Sequence, residues 1–210
     1  IGTIALTGFP FTAGYYSKDA IIEAAYAGHN AFAAYAFYMT VIAAALTSFY
    51  SWRLIFMTFH GKTRADHHTY DHAHESPLTM LVPLALLAIG ALVLGFAFKG
   101  VFLYEQGVEK FFRNSLFSHD NWHILHAMHE VPKWVPWLPT VMMLGGFIVS
   151  YWFYMARPDI PVALAKSQDM LYRFLLNKWY FDEIYDFLFV RPAKWLGHFL
   201  WKKGDGWLID

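Results

Sequence analysis

Three stretches of this chain contain no Asp, Glu, Lys or Arg: residues 31–52 (22 residues), 77–98 (22 residues) and 134–156 (23 residues). Each is long enough to cross a hydrocarbon core, which takes about 20 apolar residues at roughly 1.5 Å per residue. A soluble protein would have to surround three such helices with other protein, and 210 residues do not supply that cover. The composition agrees, at 57% hydrophobic, 20% aromatic and 15% charged, against about 25% charged in an ordinary soluble domain. The fold class read from this is all-α, a polytopic membrane helix bundle with membrane lipid as its surroundings. Sixteen basic residues balance sixteen acidic ones, so the basic excess that nucleic-acid binding needs is missing and no nucleic acid is expected as a partner. The absence of cysteine excludes disulfides, Cys-based zinc or iron–sulfur sites and thiol nucleophiles.

The chain opens on Ile1 inside an apolar stretch, without the basic region that leads a signal peptide, and closes at Asp210 in an aromatic, amphipathic segment. It reads as a piece of a longer membrane protein. Its organisation is a broken helix over about 1–27, a second span to about Phe59, a hydrophilic loop over 60–76, a third span from Pro77, a connection over 99–133, and a last crossing over 134–156. Pro158 and Pro161 end that crossing. Residues 1–156 form the transmembrane region; 157–210 form a linker and the start of an amphipathic helix. In that helix Phe181, Ile184, Tyr185, Leu188, Trp195 and Phe199 recur mostly at three- and four-residue steps, with an interruption expected at Pro192 and charges from Asp182, Glu183, Asp186, Arg191, Lys194 and His198 between them. That pattern lies along a surface instead of crossing it.

Basic residues outside the spans set the orientation. Lys62 and Arg64 in the first loop join Arg157, Lys166, Arg173, Lys178, Arg191, Lys194, Lys202 and Lys203 on one side, against Lys99, Lys110, Arg113 and Lys133 on the other. The positive-inside bias puts the first group in the cytoplasm or matrix.

One motif carries chemistry. Gly8 and Gly14 flank Pro10 within seven residues, which breaks the hydrogen-bond ladder of what would otherwise be one span, so a discontinuous helix is expected. Irregular backbone at membrane depth is tolerated only where protein buries it or water reaches it, and transporters build ion sites there. Lys18 and Asp19 follow immediately. An ionised lysine at a helix centre costs about 2.5 to 3.5 kcal/mol on insertion scales, and a desolvated one can bind and release a proton near neutral pH. Lys18 is thereby a proton-relay candidate. Asp19 points about 100° away around the helix, toward a second partner or water. The plainer reading has Lys18 snorkelling to the interface and Asp19 capping the helix. Arg53 precedes His60 by seven positions, nearly on one helical face, so the two could lead from the interior to the cytoplasmic mouth; the plainer reading is a snorkelling arginine and a histidine in an exposed turn.

Nine histidines fall into two groups, His60, His67, His68, His72 and His74 in the first loop, and His119, His123, His126 and His129 in the opposite connection. The second set has ligand-like helical spacing, but no thiol accompanies either, and no dedicated metal site is expected. No phosphate-binding glycine loop, hydrolase triad spacing or dinucleotide fingerprint is present, so no cofactor is expected in this chain.

The segments GFPFTAGYYSKD (8–19), SWRLIFMTFHGK (51–62) and NKWYFDEIYDFLFVRP (177–192) resemble the antiporter-like membrane subunits of respiratory complex I, and among them the distal one, called L in bacterial NADH:quinone oxidoreductase and 5 in mitochondria. The resemblance covers essentially the whole chain. It implies the C-terminal part of such a subunit, with the amphipathic segment from about Trp179 as the start of a long lateral helix running along neighbouring antiporter-like subunits. It implies that Lys18 matches the lysine of the broken helix near the outlet of the proton path, Asp19 the acid beside it, Arg53 the arginine of the next span and His60 the histidine of FHGK. The implied function is proton translocation driven by NADH oxidation elsewhere in the complex, without redox catalysis in this chain. The implied partners are other membrane subunits, and the implied location is the bacterial inner membrane in preference to the mitochondrial one. Two rival readings are the large subunit of a multisubunit sodium/proton antiporter, which also carries a lysine on a broken helix, and a mainly structural brace.

Overall fold

The computed structural model describes residues 1–61, 63, 65–113, 115–116 and 123–209, with side chains as far as Gly204. All regular structure among the described residues is helical. The chain divides into two compact units, Ile1–Pro158 and Asp159–Asp210. Lys62, Arg64 and His119, which enter the orientation and histidine arguments, lie outside the described residues.

The first unit begins with the broken helix. Helix α1 (Gly2–Thr7) ends at Gly8, whose φ of 82° is left-handed and lets its N–H turn back to the carbonyl oxygens of Ala5 and Ile4. Helix α2 (Ala13–Ala27) restarts after Thr12. Between them Phe11 also takes a left-handed φ of 70°, which costs a non-glycine residue roughly 1–2 kcal/mol, while Thr12 is buried and its hydroxyl donates to the Phe9 carbonyl oxygen at 2.7 Å. Local hydrogen bonds thus absorb polar groups that the break frees from the helical ladder.

Helices α3 (Ala33–Phe59), α5 (Leu78–Phe102) and α8 (Trp134–Tyr151), the last extended by a wider π-type turn through Ala156, are long and apolar enough to cross a membrane. The third span reaches Phe102, so Lys99 belongs to its last turn and not to the connection where the charge pattern puts it. A short helix α4 (His67–Asp71) lies in the first loop, and α6 (Glu105–Phe112) and α7 (His123–Ala127) in the second.

Contacts between α3 and α8 climb together: Phe37 meets Trp134, Ser48 meets Met143, Trp52 meets Phe147 and Phe56 meets Tyr151. The two helices are therefore parallel, and Phe59 and Ala156 lie at the same end of the bundle. Gly146 makes the close approach feasible, because a Cβ there would come within 2.6 Å of the Ala45 carbonyl oxygen and 2.7 Å of the Ser48 Cβ. The Ser48 hydroxyl donates across the seam to the Met143 carbonyl oxygen at 2.6 Å. This is the small-residue and hydroxyl packing that membranes favour, since lipid leaves no hydrophobic drive between helices. Ile22 of α2 closes the core with Phe37, Val41, Ala44 and Val135. By contrast, none of the apolar stretch of α5 is buried in this chain; its contact with the broken helix is made at Gly95, which lies against the backbone of Ala13 and the ring of Tyr16.

The second unit contains α9 (Asp159–Ser167), α10 (Asp169–Leu176), α11 (Phe181–Tyr185) and α12 (Arg191–Phe199). Three consecutive left-handed residues, Lys178, Trp179 and Tyr180, separate α10 from α11. Wide π-type turns follow α11 (Asp186–Val190) and α12 (Leu200–Ile209). At Pro192 the helix is not broken; instead the regular α-helical ladder widens into the π-type turn Asp186–Val190, which runs directly into α12. Pro192 falls in the first turn of α12 as a continuation of that wider turn, which accommodates the missing N–H and the proline ring without breaking the helix. Ion pairs Arg173–Asp169 (3.0 Å), Lys178–Asp182 (2.8 Å) and Arg191–Asp186 (2.7 Å) line the exposed side chains; pairs this exposed stabilise little.

Candidate functional site

The break builds a site around Lys18. Its amine donates to the carbonyl oxygen of Leu6, in the last turn of α1. Carbonyls there lack an onward helical partner and carry the negative end of the helix dipole, so a cation is the natural ligand. The lysine stem packs on the break itself: a Cβ on Gly8 would sit 3.4 Å from the Lys18 Cδ. Gly14 is required for α1 and α2 to come this close, because any Cβ there would collide with the carbonyl oxygen of Ala5. Lys18 also forms one wall of a cavity of about 160 Å³ whose other walls are Ile21, Ile22, Thr40, Ala43, Ala44 and Thr47. The cavity is mostly apolar, with the amine and two threonines as its polar groups. Both threonine hydroxyls donate to their own helix, Thr40 to Ala36 and Phe37 and Thr47 to Ala43, which leaves their lone pairs to accept.

Asp19 points away from this cavity. It is buried, and its partner is the Tyr15 hydroxyl one turn earlier on the same helix, with Glu23 one turn further on also acting on its charge. Arg53 and His60 do not line the Lys18 cavity. Arg53 is exposed, its guanidinium carbon 5.5 Å from the centre of the Tyr154 ring. His60 ends α3, exposed, with its ring edge-on to Phe56. Of the four residues singled out by sequence, the structure thus brings Lys18 alone to the break, sets Asp19 on the adjacent face of α2, and keeps Arg53 and His60 apart from both.

Sequence reasoning missed the Leu6 carbonyl, Thr40, Thr47 and Glu23. The carbonyl could not have been found, since every residue has one. Glu23 could have been: it stands four residues after Asp19 in an otherwise apolar helix, a spacing that puts both carboxylates on one face. Among the described residues no three His, Asp or Glu side chains converge as metal ligands. In the first loop Asp66 caps α4, accepting from the Thr69 N–H at 2.6 Å, and that bond holds its carboxyl below the usual carboxylate range.

No family model matches the chain. Over its whole length it is 40% identical to NADH-quinone oxidoreductase subunit L of Rhodobacter capsulatus, covering 38% of that protein. It is 35% identical to the subunit L of Rickettsia bellii, covering 32% of it, and 32% identical to NADH-ubiquinone oxidoreductase chain 5 of Schizophyllum commune, covering 31%. The chain therefore spans about a third of the length of these relatives. Its apolar helices and these relatives place it in a membrane. Along all of its residues, the chain belongs to the family of NADH-quinone oxidoreductase subunit L and NADH-ubiquinone oxidoreductase chain 5.

Proposed function

We propose that this chain is part of a proton-translocating membrane subunit of an NADH:quinone oxidoreductase, with Lys18 as the group that binds and releases the proton. The observation that carries the reading is the Lys18 amine, hydrogen-bonded to a helix-end carbonyl at a backbone break while facing a small cavity with two hydroxyls. Such an amine has two alternative sets of partners, the Leu6 carbonyl on one side and cavity water on the other.

The energies match. Moving one charge against 100 mV takes about 2.3 kcal/mol, and a hydrogen bond to a charged group is worth roughly 1.5–3 kcal/mol. Exchanging the carbonyl for water, driven from elsewhere in the complex, is therefore enough to alter the proton affinity of Lys18 by a useful amount. The redox groups belong to other subunits, and this chain needs no cofactor of its own. Its partners are the neighbouring antiporter-like and other membrane subunits, its membrane is the bacterial inner membrane, and the second unit begins the lateral helix that runs along those neighbours. Asp19 assists proton transfer next to Lys18; Arg53 and His60 serve the cytoplasmic end of the path.

The test is Lys18→Ala in the assembled complex, reconstituted in vesicles, with proton uptake and NADH oxidation measured together. Pumping should be lost or sharply reduced while uncoupled NADH oxidation persists. Full pumping by a fully assembled complex would refute the role of Lys18.

A further inference from the structure

Glu23 has no part in the reading above, yet it continues a line of groups that starts at Tyr15. Tyr15, Asp19 and Glu23 follow one another at four-residue intervals on α2 and so share a stripe of that helix. Exposure rises from Asp19 onward. Asp19 is buried, Glu23 is half-buried, and the next charge partner of Glu23, His129, is exposed. Glu23 acts on the charge of Asp19, on its own helix, and His129, from the connection that follows α7, acts on Glu23.

His129 is held in place. Its ring stacks on Tyr104 with centres 5.0 Å apart, and its Nε2 lies 3.0 Å from the Leu103 carbonyl oxygen. A carbonyl only accepts, so Nε2 carries the hydrogen and Nδ1 is the nitrogen left to take a proton. The neighbouring pair is already engaged, with the His126 Nε2 2.8 Å from the Glu105 carboxylate. Helix α7 packs against α2. With the His29 and His123 rings 6.3 Å apart just beyond the end of α2, this brings the connection onto the end of the first unit opposite to Phe59.

We propose that Glu23 and His129 form the outward end of the proton path. The protonated Glu23 carboxyl passes its proton through a bridging water to the His129 Nδ1, leaving a carboxylate and an imidazolium, and the imidazolium then gives that Nδ1 proton to bulk water and returns to neutral imidazole. The step rests on Lys18 being the group that loads the path.

The experiment compares Glu23→Gln, His129→Phe, Glu105→Gln and Lys18→Ala in the oxidoreductase complex carrying the full-length subunit, scored as protons pumped per NADH oxidised. Glu23→Gln keeps the size and His129→Phe keeps the stacking on Tyr104, and each should lower the ratio. Glu105→Gln loosens only the neighbouring pair and should leave it unchanged. An undiminished ratio in both relay variants, with Lys18→Ala inactive, overturns the outward path and spares the role of Lys18. An undiminished ratio in Lys18→Ala defeats the underlying reading instead. An equal loss in Glu105→Gln also overturns the proposal, because it traces the effect to loop structure. Because the chain has no cysteine, Glu23→Cys and His129→Cys give an independent readout. A membrane-impermeant thiol reagent should label both from the outer face, His129→Cys faster, and labelling of neither, or of either from the cytoplasmic face alone, overturns the proposal whatever the pumping ratio.

Discussion

Gly14→Ala tests whether the geometry of the break, and not merely the presence of a lysine, creates the site. The added methyl would collide with the Ala5 carbonyl oxygen, and neither atom belongs to a side chain that can swing aside. The half-helices α1 and α2 must part. Overpacking of this kind costs about 1–3 kcal/mol. Parting also stretches the bond between Lys18 and Leu6, worth roughly 1.5–3 kcal/mol as a hydrogen bond to a charged group. Together these make about 2.5–6 kcal/mol, and since each 1.4 kcal/mol is tenfold in an equilibrium, the intact site becomes a minor state. The control is Gly145→Ala, where a Cβ meets nothing within 4 Å and the helix gains from alanine. The assay is the ratio of protons pumped to NADH oxidised in vesicles, with assembly checked on the purified complex. Gly14→Ala should behave like Lys18→Ala, and Gly145→Ala like the parent protein. Normal pumping by Gly14→Ala would refute the reasoning, since it would show that Lys18 works without its contact to the broken backbone.

Two further outcomes follow from bonds described above. Ser48→Ala removes the donor to the Met143 carbonyl in the α3–α8 seam and should destabilise the bundle by about 1 kcal/mol, read as a lower midpoint of thermal unfolding in detergent with pumping retained. The Asp66 cap of α4 stabilises in its charged form, and its folded carboxyl titrates below the ordinary 3.8. Its contribution is therefore complete above that value and is lost as the pH falls through the lower folded value. The Thr69 amide resonance should report this titration, and Asp66→Asn should abolish it.

The spans were legible in the sequence because lipid tolerates so few charges that residues 31–52, 77–98 and 134–156 announce themselves. The break was legible for a similar reason, since Gly8, Pro10 and Gly14 have no place together inside a continuous helix. What joins Lys18 was not. Its partner is a backbone atom twelve residues away, fixed by two left-handed residues whose angles no composition encodes, one of them Phe11. The partners of the histidines were not legible either. His126 pairs with Glu105, and His129 meets Leu103 and Tyr104, contacts between residues more than twenty positions apart that helical spacing does not encode. Pro192 shows the same limit, because whether a proline breaks a helix depends on whether the turn before it can widen, as Asp186–Val190 does.

The bareness of α5 makes it a gauge of bilayer thickness. Its 25 residues measure about 37 Å at 1.5 Å per residue, longer than a typical hydrocarbon core of about 30 Å. Lys99 marks its far end, its amine 4.7 Å from the centre of the Phe96 ring and 5.6 Å from that of Tyr16. A thinner membrane tilts such a helix, and the point that transmits the tilt is Gly95, seated on Ala13 and Tyr16 at the start of the half-helix that bears Lys18. Acyl-chain length thereby bears mechanically on the half-helix that carries Lys18, through a helix whose own apolar stretch is left bare.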